Sequence, residues 1–298
     1  MRKRSQHLWE WIVERTIGLA GIAAVVFVLL IFGFLLRDSL PLLHTVSLRE
    51  LFAEARWLPT SEPARFGLLP LFLGSLYVTL GALMLAVPLG LGCAIFIAEV
   101  APPRWREWLK PVVELLAAVP SVVFGFVGLL MVGPWLAARF DLPIGQFAAL
   151  GSLLLAFMAI PTIVSVAEDA LQAVPRALRD NSLAMGATEW QTISRIAVPA
   201  ARSGIVAACL LGMGRAIGET MTVLMVTGNA AVLPQGLKGF MQPVRTLTAT
   251  IAAEMGETAY HTPHYFALFM VGLVLFAITL LINMVADIII HRAGGVKL

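Results

Sequence analysis

Charged residues are scarce in this sequence. Asp, Glu, Lys and Arg make up 13% of its 298 residues, about half the share found in an ordinary soluble domain. Together with 59% hydrophobic residues and a mean hydropathy of +0.88, that deficit argues against a water-soluble globule and points to lipid. Cysteine is nearly missing. Cys93 and Cys209 are too few and too isolated for a disulfide framework or a zinc site, and both sit in apolar runs, which predicts packed, reduced thiols. No Gly-x-x-x-x-Gly-Lys-Ser/Thr loop occurs, so the chain has no P-loop with which to hold ATP. The basic residues behind the net charge of +3 form no patch or stripe, which argues against a nucleic-acid partner.

What is abundant is long apolar sequence. A bilayer core needs about 20 apolar residues per helix, and the chain supplies six such runs. The reading is an all-α membrane protein with six transmembrane helices. A polar N-terminal segment (1–16) precedes a first span at 17–36. That span is followed by Arg37-Asp38 rather than a small-residue cleavage site, so it reads as a retained helix and not a secretory signal. A mixed-charge loop covers 37–69, and residues 70–292 form the core, with spans at about 70–98, 113–138, 143–167, 203–227 and 265–290. Glu99–Pro111 reads as a short basic connection, and 168–202 as a polar loop between the fourth and fifth spans. In the segment after the fifth span, Leu247, Ile251 and Met255 recur every fourth residue, as on one face of a short interfacial or re-entrant helix.

Six spans put both termini on one side. With the N-terminus inside, the inner segments carry thirteen Lys and Arg residues and the outer segments seven. That bias puts both termini and the 168–202 loop in the cytoplasm. Every tryptophan lies away from a span centre, as interfacial anchoring predicts.

Two charges interrupt the fifth run. An ionised side chain at mid-bilayer costs roughly 2.5–3.5 kcal/mol on insertion scales, so Arg215 and Glu219 need a reason. At about 100° per residue, Gly204, Ala208, Gly212, Arg215, Glu219 and Thr222 share one sector of the helix. Gly214 and Gly218 add a small-xxx-small spacing for close packing beside it. Two readings remain: a pair that neutralises itself one turn apart, or a cation and anion that meet a solute. The cation stands N-terminal to the anion, the weaker order for a helical pair. The planar guanidinium fork suits a tetrahedral oxyanion. On the second reading Arg215 offers charge to an anion in transit while Glu219 holds the guanidinium and moderates binding. Pro120-Ser121 and Pro161-Thr162 interrupt the third and fourth spans. Each is either a packing kink or a kink beside a polar path, because proline frees a carbonyl that lipid cannot satisfy.

In the 168–202 loop, Arg176–Arg195 reads as two short helices broken near Gly186 and bounded by Pro175 and Pro199, with Trp190, Ile193 and Ile196 as a docking face. Asp180-Asn181-Ser182-x-x-x-Gly186, nine residues, then Ile196-Ala-Val-Pro199 resembles the EAA loop of ABC importer permeases. Asp180, Asn181 and Ser182 stand where that family has Glu-Ala-Ala, and Val198 where it has leucine. Gly212-Met-Gly-Arg215-Ala-Ile-Gly-Glu219-Thr-Met-Thr222, ending at Gly228-Asn229, is similar to the fifth helix of phosphate-specific transport permeases, in a form closer to the PstC-type than to the PstA-type subunit. Phe66-Gly-Leu-Leu-Pro70, Glu114-Leu-Leu-Ala-Ala-Val-Pro120-Ser121 and Ala159-Ile-Pro161-Thr162 fit the same family.

The resemblance implies a type I ABC importer permease of the bacterial inner membrane, a transport subunit with no ATPase site of its own. Arg215, Glu219, Thr222, Ser121 and Thr162 would line the substrate pathway. Asp180, Asn181, Ser182, Gly186, Ile196 and Pro199 would couple to the ATPase. No cofactor or metal is implied in this chain, since ATP and Mg²⁺ belong to the partner. The implied partners are a second, PstA-type permease, a PstB-type ATPase dimer, a PstS-type extracytoplasmic phosphate-binding protein, and lipid. Sulfate, molybdate or tungstate would suit the same fork. A self-sufficient channel or carrier would leave the 180s loop unexplained. A membrane enzyme would have to use Glu254, Glu257, His261 and His264, whose helical spacing Pro263 breaks, so these read as solvated loop residues.

Overall fold

The computed structural model describes residues 2–293, and the side chains of residue 11 and of residues 13–289. Of the charges counted for orientation, the side chains of Arg2, Lys3, Arg4 and Arg292 and the whole of Lys297 lie outside the described part. Apolar runs become helices wherever lipid or another helix can take their side chains. α1 (Arg2–Ser39) is the least covered of them, and its most apolar stretch is fully exposed in the isolated chain. Its far end turns into α2 (Leu48–Ala53), which a capping box starts: the Ser47 hydroxyl accepts from the Glu50 amide and the Glu50 carboxylate from the Ser47 amide. A hairpin of β1 (Trp57–Leu58) and β2 (Arg65–Phe66), antiparallel with Trp57 opposite Phe66, follows.

α3 (Leu69–Ile95) recrosses and ends in one π turn, Phe96–Val100. The next element departs from the expected boundaries. Glu99–Pro111 is not a short connection, because α4 (Pro103–Ala117) begins there and runs past Leu115 and Leu116. Proline at its first position and charges along one side make it an amphipathic helix, with Trp105 and Trp108 63% and 75% exposed. That composition suits a membrane surface. The third span starts only at Ser121, as α5 (Ser121–Val127), and passes through a π turn into α6 (Gly133–Phe140). Pro120 is the physical cause: it lacks an amide hydrogen, and the chain at Ala118–Pro120 leaves the helix.

α7 (Ala148–Gln172) is the central helix and contributes more buried residues than any other. Pro161 is buried inside it without breaking it. A helical elbow follows: α8 (Arg176–Ala184), a left-handed turn at Gly186 (φ +87°), then α9 (Glu189–Thr192), a π turn, and α10 (Val198–Ala200). The fifth span leaves this elbow at 70° as α11 (Arg202–Gly218) and α12 (Met221–Val226). α13 (Leu247–Glu254) is short, and its first four residues are buried against α12, α3 and the last helix, so it is an internal element rather than an interfacial one. α14 (Pro263–Ala293) packs along α1 and α11. Among the described residues five helices are thus long and apolar enough to cross a bilayer, and the bent fifth span makes six.

Polar clusters hold each end. At the hairpin end Glu254 accepts from Trp57 Nε1 (3.0 Å) and pairs with Arg245 Nη1 (2.6 Å) and His264 Nε2 (2.7 Å). The expectation of solvated loop residues therefore fails for Glu254 and His264, whose side chains are 16% and 18% exposed. At the elbow end the buried Glu168 meets Lys110 Nζ at 2.8 Å, and Lys110 also reaches Asp169 at 2.8 Å. Those two hydrogen bonds, Asp169 first and Glu168 second, hold the Lys110 ammonium well above its ordinary range. A raised folded value means that this contribution is complete below the ordinary lysine value of 10.5 and fades only as pH rises past the folded one. Titration of Lys110 should therefore leave stability unchanged until pH rises past 10.5.

The small residues of α11 pack on α7. A Cβ at Gly212 would meet Ile163 Cγ1 at 2.5 Å, and one at Gly204 would meet Ala170. Gly212→Val should therefore destabilise the chain by about 1–3 kcal/mol of overpacking, read as a lower melting temperature in detergent. Gly214 and Gly218 are different. Nothing lies within 4 Å of a Cβ at either, so the close packing expected there is not made inside this chain. Cys93 is exposed and Cys209 half-buried, so the expectation of packed thiols fails for Cys93.

Candidate functional site

Two chain breaks lie side by side. One is Ala118–Pro120, between α4 and α5, and the other is Glu219–Thr220, between α11 and α12. Arg215 Nη2 faces the Ala117 carbonyl at 3.4 Å across the first break. Thr222 Oγ1 donates to the Ser121 carbonyl at 2.9 Å beside the second. The five residues expected along the pathway fall into two groups beside these breaks, Arg215 with Thr162, and Glu219 with Thr222 and Ser121. Thr162, on α7, sits 3.5 Å from Arg215 Nη1. Ser121 takes part through its carbonyl.

The shared helical sector does not survive the break. α11 ends at Gly218, and Glu219 is extended (φ −70°, ψ 133°). The Thr248 hydroxyl donates to the Glu219 carbonyl at 2.8 Å, so a side chain of α13 satisfies the carbonyl where the helix stops. Glu219 Oε1 accepts from the Thr222 amide at 3.3 Å and so starts α12. Arg215 and Glu219 consequently do not pair: among the described residues no ion pair joins them. The expectation that Glu219 holds the guanidinium fails, because it assumed one continuous helix. Glu219 instead lines a nook of about 10 Å³ with Ser75, Thr79, Thr246 and Thr248.

Arg215 is left with weak company. Its contacts are long for hydrogen bonds, both are to uncharged oxygens, and the residue is exposed in the isolated chain. It stands thirteen residues into α11, about 20 Å along the axis. The backbone oxygen it faces belongs to Ala117, the last residue of α4. A guanidinium with unused donors can receive an oxyanion. Ala117, Ser75, Thr79, Thr246 and Thr248 were not singled out from the sequence. Hydroxyls four apart inside an apolar run, Ser75 and Thr79, were the available signal for two of them.

The elbow presents its residues unequally. Asp180, Asn181, Gly186 and Pro199 are exposed, Ser182 and Ile196 half-buried. Ser182 Oγ lies 3.0 Å from Thr192 Oγ1 and ties α8 to α9. Thr188 and Gln191 form a capping box for α9. Ile193 is buried and so is not part of an exposed face, whereas Trp190 (68% exposed) and Met185 (89% exposed) stand on the outside of the elbow.

Among the described residues, five spans and one bent span, with a helical elbow before this broken fifth helix, make up the architecture. The fold is that of type I ABC importer permeases. It aligns over 98% of this chain and 99% of the other with a chain of the bacterial alginate ABC transporter in complex with alginate pentasaccharide-bound periplasmic protein, at a TM-score of 0.63 and 16% identity. It aligns with a chain of the inward-facing MetNI methionine ABC transporter at 0.57 and 19% identity, over 74% of this chain and 93% of that one. Residues 86–294 match the family described as binding-protein-dependent transport system inner membrane component, and the chain belongs to that family. Curated relatives include the probable ABC transporter permease protein YqgH of Bacillus subtilis, 40% identical over 80% of this chain and 77% of that protein. The phosphate transport system permease protein PstC of Mesorhizobium japonicum is 33% identical over 91% and 88%. PstC 1 of Mycobacterium tuberculosis is 35% identical over 79% and 75%.

Proposed function

We propose that this chain is a PstC-type permease subunit of an ATP-driven importer of inorganic phosphate. The observation that carries the reading is Arg215, a cation deep in a span with no carboxylate bound to it and with donors left over. Several relatives named as phosphate transport permeases support the choice of ion. Phosphate offers the planar fork of Arg215 two oxygens at once, and the Thr162 hydroxyl beside it can contribute a further hydrogen bond. The open side of α11 at Gly214 and Gly218 is where a second permease would close the pathway. Hydrolysis by partner ATPase subunits would reach the chain through the Asp180–Pro199 elbow on the cytoplasmic side, and a binding protein would deliver phosphate at the hairpin end.

The elbow makes its own prediction. Trp190→Ala removes the largest exposed apolar side chain of that face, and interface anchors of this kind are worth about 2 kcal/mol or more. ATPase retained on the affinity-purified permease should fall by more than about tenfold, with the permease's own melting temperature unchanged. The function itself is tested in proteoliposomes holding the assembled transporter, its binding protein and ATP. Labelled phosphate should accumulate, and excess sulfate or molybdate should not compete. Uptake that sulfate suppresses and phosphate does not would reject the choice of ion, and uptake without ATP would reject the class.

A further inference from the structure

Arg179 is the fourth residue of α8, next to the exposed Asp180, and its own side chain is largely enclosed. Its Nη2 and Nε hold the two oxygens of Glu99 at 2.6 and 3.1 Å. Its Nη1 donates to the Val174 carbonyl at 2.6 Å, and Nη2 donates also to the Leu171 carbonyl at 2.8 Å. The pair is largely enclosed, with side-chain exposures of 20% for Arg179 and 8% for Glu99. Glu99 stands on the π turn that ends α3. Leu171 lies in the last turn of α7 and Val174 two residues past its end, and the Leu171 carbonyl also accepts from the Val174 amide at 3.2 Å. One guanidinium therefore joins three elements: the elbow helix, the second span and the fourth.

Leu178, beside it, packs into the apolar cluster of Ala98, Leu171, Val174 and Ala201. The N-terminal part of α8 is thus fixed to the bundle, while Asp180, Asn181, Leu183 and Met185 beyond it are exposed. α7 continues nine residues from Leu171 back to Thr162, about 13.5 Å along one rigid helix, and Thr162 touches Arg215.

We propose that Arg179 is the positioning residue that converts displacement of the elbow into movement of the second and fourth spans, and so into a change at Arg215. The proposal rests on the importer reading above. A bidentate fork gripping a carboxylate while capping two carbonyls fixes orientation as well as distance, so a rotation of α8 must carry α3 and α7 with it. A lysine could supply the charge but not the four simultaneous bonds.

The test uses the assembled, reconstituted transporter and reads oxyanion imported per ATP hydrolysed. Removing Arg179 alone would strand the enclosed Glu99 charge, so the informative variant is the neutral pair Glu99→Gln with Arg179→Gln. It should keep its ATPase subunits and hydrolyse ATP within about twofold of wild type, while import per ATP falls at least about tenfold. Arg179→Lys should fall between the two. An unchanged ratio in the double variant would overturn the proposal. So would loss of ATPase subunits in proportion to lost import, since that marks a docking anchor only. The ratio is read with whichever oxyanion the wild-type transporter carries, so an error about phosphate would appear in the wild type and not in the variants.

Discussion

Arg215→Gln should reduce phosphate uptake by at least about a hundredfold while the transporter still assembles. Two charge-assisted hydrogen bonds to an oxyanion are worth about 1.5–3 kcal/mol each, and glutamine keeps neither the charge nor the fork. Arg215→Lys should give an intermediate loss, because an ammonium restores charge without bidentate geometry. Stability should move the other way. Among the described residues Arg215 makes two long contacts, to Thr162 and to the Ala117 carbonyl, and a charge at this depth is costly. Arg215→Gln should melt no lower than wild type. A structural ion pair would behave in the opposite sense, with uptake and stability falling together.

Lys110→Met should destabilise the chain by about 2–3 kcal/mol. Breaking a buried ion pair typically costs about 3–5 kcal/mol, and the lower figure reflects a Lys110 side chain that is 35% exposed and screened by solvent. Glu168, 1% exposed, would be left with Gln172 as its remaining donor. The expected readout is a detergent melting temperature several degrees lower, with most of the loss regained on adding Glu168→Gln. Regain in the double variant separates the stranded charge from lost packing around the lysine stem. Unchanged melting of Lys110→Met would mean that the pair contributes nothing.

How much of this was legible beforehand varies along the chain. Long apolar runs fixed the number of spans, because lipid leaves helices as the available spanning structure. Gly186 marked the elbow's turn, since a left-handed position favours glycine. The start of the third span was hidden. Leu115 and Leu116 look like the beginning of a buried run, yet they end an amphipathic helix whose charges begin at Arg104, and only Pro120 divides the two. The break at Glu219–Thr220 was hidden more deeply. No proline marks it, and the donor that replaces the helical bond is Thr248, twenty-nine residues away. A periodicity argument assumes a continuous helix, and so it placed Glu219 beside Arg215. The same limit applied to Glu254, whose partner Trp57 lies 197 residues away in the chain. Residue chemistry was readable at Arg215 itself. That it has no carboxylate partner among the described residues was not.

The decisive measurement is aqueous access to the side chain that touches Arg215. In an assembled transporter carrying Thr162→Cys, with Cys93 and Cys209 replaced by serine, a charged, membrane-impermeant thiol reagent should label position 162, and phosphate with its binding protein and ATP should slow that labelling severalfold. A cysteine there that reacts only with lipid-soluble reagents, at a rate indifferent to phosphate, would show that Arg215 faces no path for an anion.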